Sequence, residues 1–410
     1  MIRRLVYLLP ILAMISCINE ITEEDVVAKA KRIHDNVLTI DSHTDTPMWM
    51  TRDGFDITVD NSESARGSKV DLARMKEGGL DAVFFAVFLG QGPRDEAGNA
   101  KAYERAMILF DTLHKAIGRC PDLAEIAYKS EDAYRLEKEG KRAIYIGMEN
   151  GYPIGRDIEL VQQYYDLGAR YITLCHSKHN DICDSSSDKE EAEHDGLSEF
   201  GEEVVKEMNR LGIMVDVSHA SDASFYDVIE VSATPVIASH SCARNIRDSH
   251  RNLDDDMLKT LAENGGVIQM CILSSYVEDP APNPTRDSAM AELRKKYNNW
   301  EGLSDEEMKK ARADWQQFNV DFPRVLSTVK KVVDHIDHIV AVAGIDHVGI
   351  GTDFDGGGGV EDCYDVSEMG NITLELVKRG YTEEEIEKIW GENLIRVFKQ
   401  VEAYAANQTI

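Results

Sequence analysis

Eight short apolar runs recur along the chain, most of them followed by a polar or charged residue. They are L-T-I (38–40), A-V-F-F-A-V-F (82–88), A-I-Y-I-G-M (143–148), Y-I-T-L-C (171–175), I-M-V-D-V (213–217), P-V-I-A-S (235–239), V-I-Q-M-C (267–271) and H-V-G-I-G (347–351). Stretches that read as helix separate them, such as Lys101 to Ala116, Gly201 to Leu211 and Asp254 to Glu263. Short, nearly continuous apolar strands alternating with helices predict a parallel sheet covered on both faces. Eight such units within 410 residues predict a closed (β/α)8 TIM barrel. An open doubly wound sheet is the alternative, and no glycine-rich nucleotide loop follows any run to support it.

The first residues read as targeting. Arg3 and Arg4 precede an apolar run from Leu5 to Ile15, too short to span a bilayer but suited to a signal-peptide core. The run ends in M-I-S-C, which resembles a bacterial lipoprotein signal with Cys17 as the lipidated residue, although Met14 stands where such signals usually carry leucine. Ordinary cleavage near the same point is the alternative. Either way residues 1–17 are a signal segment, the protein is exported to the periplasm or cell envelope, and residues 18–410 form a single catalytic domain. One connection is long: Ser274 to Asp346 opens on D-P-A-P-N-P and continues into Glu- and Lys-rich helix. It predicts an insert at about 277–325, a lid or an oligomer surface. Near the end, Thr382 and Glu385 predict a capping box ahead of I-x-x-I-W, followed by Gly391. The seven cysteines contain no C-x-x-C, so neither a zinc knuckle nor a disulfide scaffold is indicated, and most of the six beyond Cys17 read as small buried hydrophobes.

The chemistry sits where the runs end. His43 and Asp45 follow the first, two residues apart and therefore on one face of an extended chain. Glu149 ends the third, His176 the fourth, His219 the fifth, His240 the sixth, and Asp353 and Asp355 the eighth. In a barrel these ends converge on one mouth, where catalytic residues gather. Any one histidine after a strand is commonly a hydrogen-bonded loop residue, but recurrence at the same relative place points to a metal site. His43, Asp45, Glu149, His219 and His240 exceed what one open zinc needs and suit two ions bridged by a carboxylate, for which Glu149 is the candidate. Lys plus Arg is 45 against 74 Asp plus Glu, a net charge of −29. So acidic a chain repels phosphate backbones, which argues against nucleic-acid binding.

D-S-H-T-D-T-P, G-M-E-N, Y-I-T-L-C-H, the stretch from Gly196 to His219, P-V-I-A-S-H-S, R-N-L-D-D-D and G-I-D-H-V-G-I-G-T-D-F-D-G together resemble the membrane (renal-type) dipeptidase family. The resemblance runs from about Ile33 to Phe398. It implies a barrel of the metal-dependent hydrolase type, a zinc dipeptidase that cleaves dipeptides through a metal-activated hydroxide, and a homodimer. It implies two Zn2+ per chain: His43 and Asp45 on one, His219 and His240 on the other, Glu149 between them. It further implies that His176 polarises the scissile carbonyl, Arg251 grips the substrate's free carboxylate, Asp353 passes a proton to the leaving amine and Tyr276 lines the pocket. The chain departs from the pattern at Ser42 and Thr44, where Gly and Asn are common, at Asn150 in place of Gly, and at S-K-H-N after His176. None of these removes a ligand.

The roles are sound chemically. Cations stabilise a deprotonated water, a donor stabilises the oxyanion, a carboxyl shuttles the proton, and a guanidinium fits a terminal carboxylate. Another binuclear amidohydrolase acting on N-acyl amino acids, lactams or small esters would share the ligands and differ in the carboxylate clamp. A metal-dependent solute-binding lipoprotein would have no need of Asp353. His179 and His194 read as surface or supporting residues, and His335 and His338 as packing or surface. Asp355 reads as structural, and Gly356 to Gly359 as a mobile loop beside the site.

Overall fold

The computed structural model describes residues 22–62, 67–300 and 303–408. The export segment with Cys17 lies outside them. Nine strands form one sheet: β1 (Ile40–Thr44), β2 (Ala82–Phe88), β3 (Ala124–Ile126), β4 (Arg142–Glu149), β5 (Ala169–Thr173), β6 (Met214–Asp216), β7 (Ile237–Ser241), β8 (Val267–Met270) and β9 (Val348–Ile350). Eight run parallel in the order β1-β2-β4-β5-β6-β7-β8-β9. The first and last meet through Asp45 N–H to Phe354 O at 2.9 Å and Asp353 N–H to His43 O at 3.0 Å. This is the nearly closed (β/α)8 barrel expected from the eight runs. The sequence reading missed β3, which pairs with Arg142 to Ile144, the stretch of β4 ahead of Ile146, where pairing with β5 begins.

Alternation along each strand sorts side chains into two clusters. Val83, Phe85, Val87, Ile144, Ile146 and Val215 face the surrounding helices. Ala82, Phe84, Tyr145, Tyr171, Met214 and Ile237 form the other cluster with Leu394, Val397 and Phe398 of the C-terminal helix Asn393–Gln408. That helix therefore closes the lower end of the barrel. Inside, Phe84 stacks on Tyr145 at 4.7 Å and lies 5.4 Å from Tyr171. Apolar packing fills this half, and the polar strand ends are left for the other.

The capping box at Thr382 and Glu385 is present. Gly391 does not end the helix there. It lies within a π-helical turn, Lys388–Glu392, where an added Cβ would stand 2.8 Å from Leu38 O. Its role is close approach to the start of β1. Between β8 and the helix Val329–Ala343 the chain forms helices Ser274–Val277, Pro284–Lys296 and Asp305–Asp321. Cys120, Cys175, Cys183, Cys242, Cys271 and Cys363 are buried free thiols. Among the described residues no helix is long and apolar enough to cross a membrane.

Candidate metal centre and active site

The barrel brings the strand-end histidines and carboxylates together. His43 Nε2 lies 3.8 Å from Asp45 Oδ2 and 3.6 Å from Glu149 Oε2. Glu149 Oε1 lies 3.0 Å from His219 Nε2, 3.4 Å from His240 Nε2 and 3.7 Å from His176 Nε2. Donor atoms fall within 4.8 Å of one another in three groups: His43, Glu149 and His240; Glu149, His176 and His219; His43, Asp45 and Asp353. Glu149 is shared by two groups, as a bridge must be. His176 and Asp353, expected to act on substrate, also come within ligand range.

Buried carboxylates hold these strand ends where the sheet ladder splays. Asp41 accepts the backbone N–H of His43 at 3.1 Å and of Thr352 at 2.9 Å, plus the Thr352 hydroxyl. It thereby ties β1 to the segment carrying Asp353. Asp216 does the same between β6 and β7, accepting the N–H of Ser218 and of Ser239. Each supplies side-chain acceptors for backbone donors that would otherwise be orphaned in the interior. Neither residue stood out in the sequence. The available signal was an acid two or three positions before a strand-end histidine, in D-S-H and D-V-S-H.

Three buried atoms of the cluster have no hydrogen-bond partner: His43 Nε2, Asp45 Oδ1 and His219 Nδ1. Leaving such atoms unpaired is costly. His43 Nε2 faces the converging carboxylates, and nitrogen and carboxylate oxygen are what a divalent ion of the zinc type takes. The residues fit a two-ion site bridged by Glu149. Its charge distribution agrees. Burial alone would raise the Glu149 pKa, but His43 and His176 outweigh it and hold the carboxyl well below the usual range. Burial, with the Glu149 charge beside it, pushes Asp45 up to about 6. His219 and Asp353 adopt left-handed backbone, φ 70° and 59°. Strain of that kind in non-glycine residues clusters at functional sites.

The remaining candidates ring this cluster. His176 keeps a quarter of its side chain exposed and packs edge-on against Phe88. Burial first, then the Asp45 charge, raises the Asp353 pKa well above the usual value. Gly356 lies against both acids: a Cβ there would meet Asp45 Oδ2 at 2.0 Å and Asp353 Oδ1 at 2.2 Å. Arg251 is 3% exposed, and its guanidinium lies 5.4 Å from the Tyr276 ring. It donates from Nη2 to His240 O at 3.3 Å, while Nε has no partner. Among the described residues no carboxylate pairs with it.

The residues read as bystanders are structural. His179 is buried, contrary to a surface place. It receives the Ser185 N–H at Nδ1 and stands 3.2 Å from Asp184. His194 bonds Asn180 O, His335 bonds Val277 O and His338 bonds Asp255. Asp355 accepts from Thr46, Ser68 and the Lys69 N–H. The turn after Asp353 is pinned, in place of the mobile loop expected from four glycines. The N–H groups of Gly356, Gly357 and Gly358 all reach Asp353 O, and that of Gly359 reaches Ile272 O. Asn150 has φ 80°, a left-handed conformation that asparagine tolerates better than most residues other than glycine.

The sequence profile of the membrane dipeptidase family (peptidase family M19) matches residues 27–409. Dipeptidase tcpJ of Claviceps purpurea is 33% identical over 377 residues, covering 90% of this chain and 78% of that protein. The crystal structure of the probable dipeptidase PvdM from Pseudomonas aeruginosa is similar with a TM-score of 0.82 and 29% identity, covering 93% of this chain and 100% of that one. A metallopeptidase from Rhodobacter sphaeroides, solved with a phosphinate mimic of the dipeptide L-Ala-D-Ala, shares the fold with a TM-score of 0.71 and 22% identity, over 89% and 99% of the two chains.

Proposed function

The chain belongs to the membrane dipeptidase family and is a metal-dependent dipeptidase, and from this premise we infer how its own residues divide the reaction. The observation that carries the reading is a buried guanidinium that pairs with no carboxylate among the described residues, beside a cluster of histidines and carboxylates with unsatisfied atoms. When bound, a pair of divalent ions lowers the pKa of water and stabilises negative charge developing on the scissile carbonyl. His43, Asp45, Glu149, His219 and His240 would hold such a pair, which we assign as zinc from the nitrogen and oxygen donor set.

Arg251, with Tyr276 beside it, binds the substrate's terminal carboxylate, which fixes the scissile bond at one residue's distance from the clamp. His176, at the open side of the cluster, donates to the carbonyl oxygen as it becomes negative. Water adds to the carbonyl carbon, the C–N bond breaks, and the proton from water reaches the departing amine through Asp353. The raised affinity of Asp353 for a proton suits that task. Residues 18–410 form the catalytic domain, exported after cleavage of the segment that precedes Cys17 and assembled as a homodimer. The basic start, the apolar run and M-I-S-C support export and a lipid anchor on Cys17.

Product analysis of a mixed dipeptide library with metal-loaded enzyme tests the assignment. Free amino acids should appear from dipeptides with a free C-terminus, while N-acyl amino acids and C-terminally amidated dipeptides remain. Turnover confined to N-acyl amino acids would overturn it. Mass spectrometry of the mature N-terminus should find a lipid-modified Cys17, and an intact Met1 would refute export.

A further inference from the structure

Asp216 ends β6 fully buried, and its four acceptor contacts have a fixed polarity. Oδ1 accepts the backbone N–H of Ser218 at 3.0 Å and of Ser239 at 2.8 Å. Oδ2 accepts the hydroxyls of Thr173 at 2.5 Å and Ser239 at 2.6 Å. A hydroxyl has one proton to give. The Ser239 proton goes to the carboxylate, since a charge-assisted bond at that distance outweighs the Ser218 hydroxyl at 3.4 Å. Ser239 Oγ therefore faces His240 Nδ1, 2.9 Å away, as an acceptor only. The hydrogen of the His240 ring must sit on Nδ1. Its Nε2 is then a bare lone pair, aimed into the ligand cluster 3.4 Å from Glu149 Oε1 and 2.9 Å from His219 Nε2.

We propose that Asp216, acting through Ser239, is a positioning residue that locks His240 in the Nδ1-protonated tautomer and presents Nε2 to the second ion. The proposal rests on the reading of the cluster as a binuclear centre. Its sharpest consequence concerns Asp216→Asn. Backbone N–H groups can only donate, so the amide oxygen must take the place of Oδ1. The amide NH2 then faces the two hydroxyls, Ser239 Oγ accepts from it and turns its own proton toward His240 Nδ1. The ring hydrogen is driven to Nε2, where it blocks the lone pair. A nearly isosteric change thus reverses the relay, as happens when a carboxylate that orients a histidine is made an amide.

The tautomer is read directly from two-bond 15N–1H correlations of His240 in 15N-histidine-labelled, metal-free protein. Wild type should show hydrogen on Nδ1, Asp216→Asn on Nε2, and Ser239→Ala a mixture. Competition with a chromophoric zinc chelator should show the second ion held about 10–100-fold more weakly in both variants, with the first ion little changed. Hydrogen on Nε2 in wild type, or wild-type tautomer and affinity in both variants, overturns the proposal. If Asp216→Asn does not fold, Ser239→Ala, which leaves the Asp216 backbone contacts in place, decides by the same two measurements. Should wild type bind a single ion while His240 carries its hydrogen on Nδ1, the binuclear reading fails and the tautomer assignment stands.

Discussion

Replacing Arg251 by alanine removes a buried positive charge that pairs with no carboxylate among the described residues. Arg251 is 3% exposed, and its guanidinium donates to His240 O at 3.3 Å and lies against the Tyr276 ring, while Nε has no partner. A desolvated charge left so poorly satisfied is retained against its own cost, which a substrate carboxylate would offset. Deleting one partner of a buried charge pair costs about 2–5 kcal/mol, which corresponds to roughly 30-fold to several thousand-fold in affinity. The clamp is distant from the bond being broken, so it grips ground and transition states alike. The loss should appear in KM, with kcat changed by less than about tenfold. Steady-state kinetics on matched free-acid and C-terminally amidated dipeptides separate the effects. The variant should lose most of its activity on the free acid at low substrate and almost none of the little it has on the amide. Metal content should match wild type, and Tm should stay equal or rise, since an unpaired interior charge has gone. Equal losses on acid and amide would refute the clamp.

Glu149→Gln removes the negative charge shared by two of the donor groups, and metal analysis should find both ions weakened together rather than one. Retention of one ion at wild-type affinity would exclude the bridge. Asp353→Asn keeps size and most hydrogen bonds but cannot cycle a proton, so kcat should fall by about two to four orders of magnitude with both ions still bound. Wild-type turnover would remove Asp353 from the proton path. His335 accepts the Ala243 N–H at Nδ1 and donates to Val277 O, joining the loops that carry Arg251 and Tyr276. Burial, its largest influence, lowers its pKa from 6.5 to about 4. The unfolded histidine therefore binds a proton first, so the associated stability is complete above about pH 6.5 and is lost as pH falls toward 4. Urea midpoints at pH 7.5 and 4.5 should differ by less for His335→Gln than for wild type, and an equal difference would exclude this histidine as the cause.

Most of the barrel was legible because its strands are apolar on both faces, which a linear pattern records. Where it failed, the pattern had ended before the structure did. The first run was read as 38–40, yet β1 is Ile40–Thr44 and every residue from Val37 to Pro47 is buried. Its polar residues are inside because neighbours satisfy them: Asp41 takes donors from Thr352, and Ser42 donates to Ser239 O at 2.7 Å. The short strand Ala124–Ile126 carries a mid-strand glutamate and gives no periodicity to read. The ligand histidines were legible by recurrence at strand ends, a property of one chain position each. Asp41 and Asp216 were not, because an acid inside an apolar run becomes meaningful only when the adjacent strand's donors are known. The left-handed φ values at His219 and Asp353 are likewise absent from any linear pattern. Histidines announce the chemistry, while the residues that aim them are ordinary acids and hydroxyls whose partners lie one strand away. A site of this kind is thus read from sequence as an inventory of ligands. Its precision resides in cross-strand hydrogen bonds such as Ser239 Oγ to Asp216, which only the folded register creates.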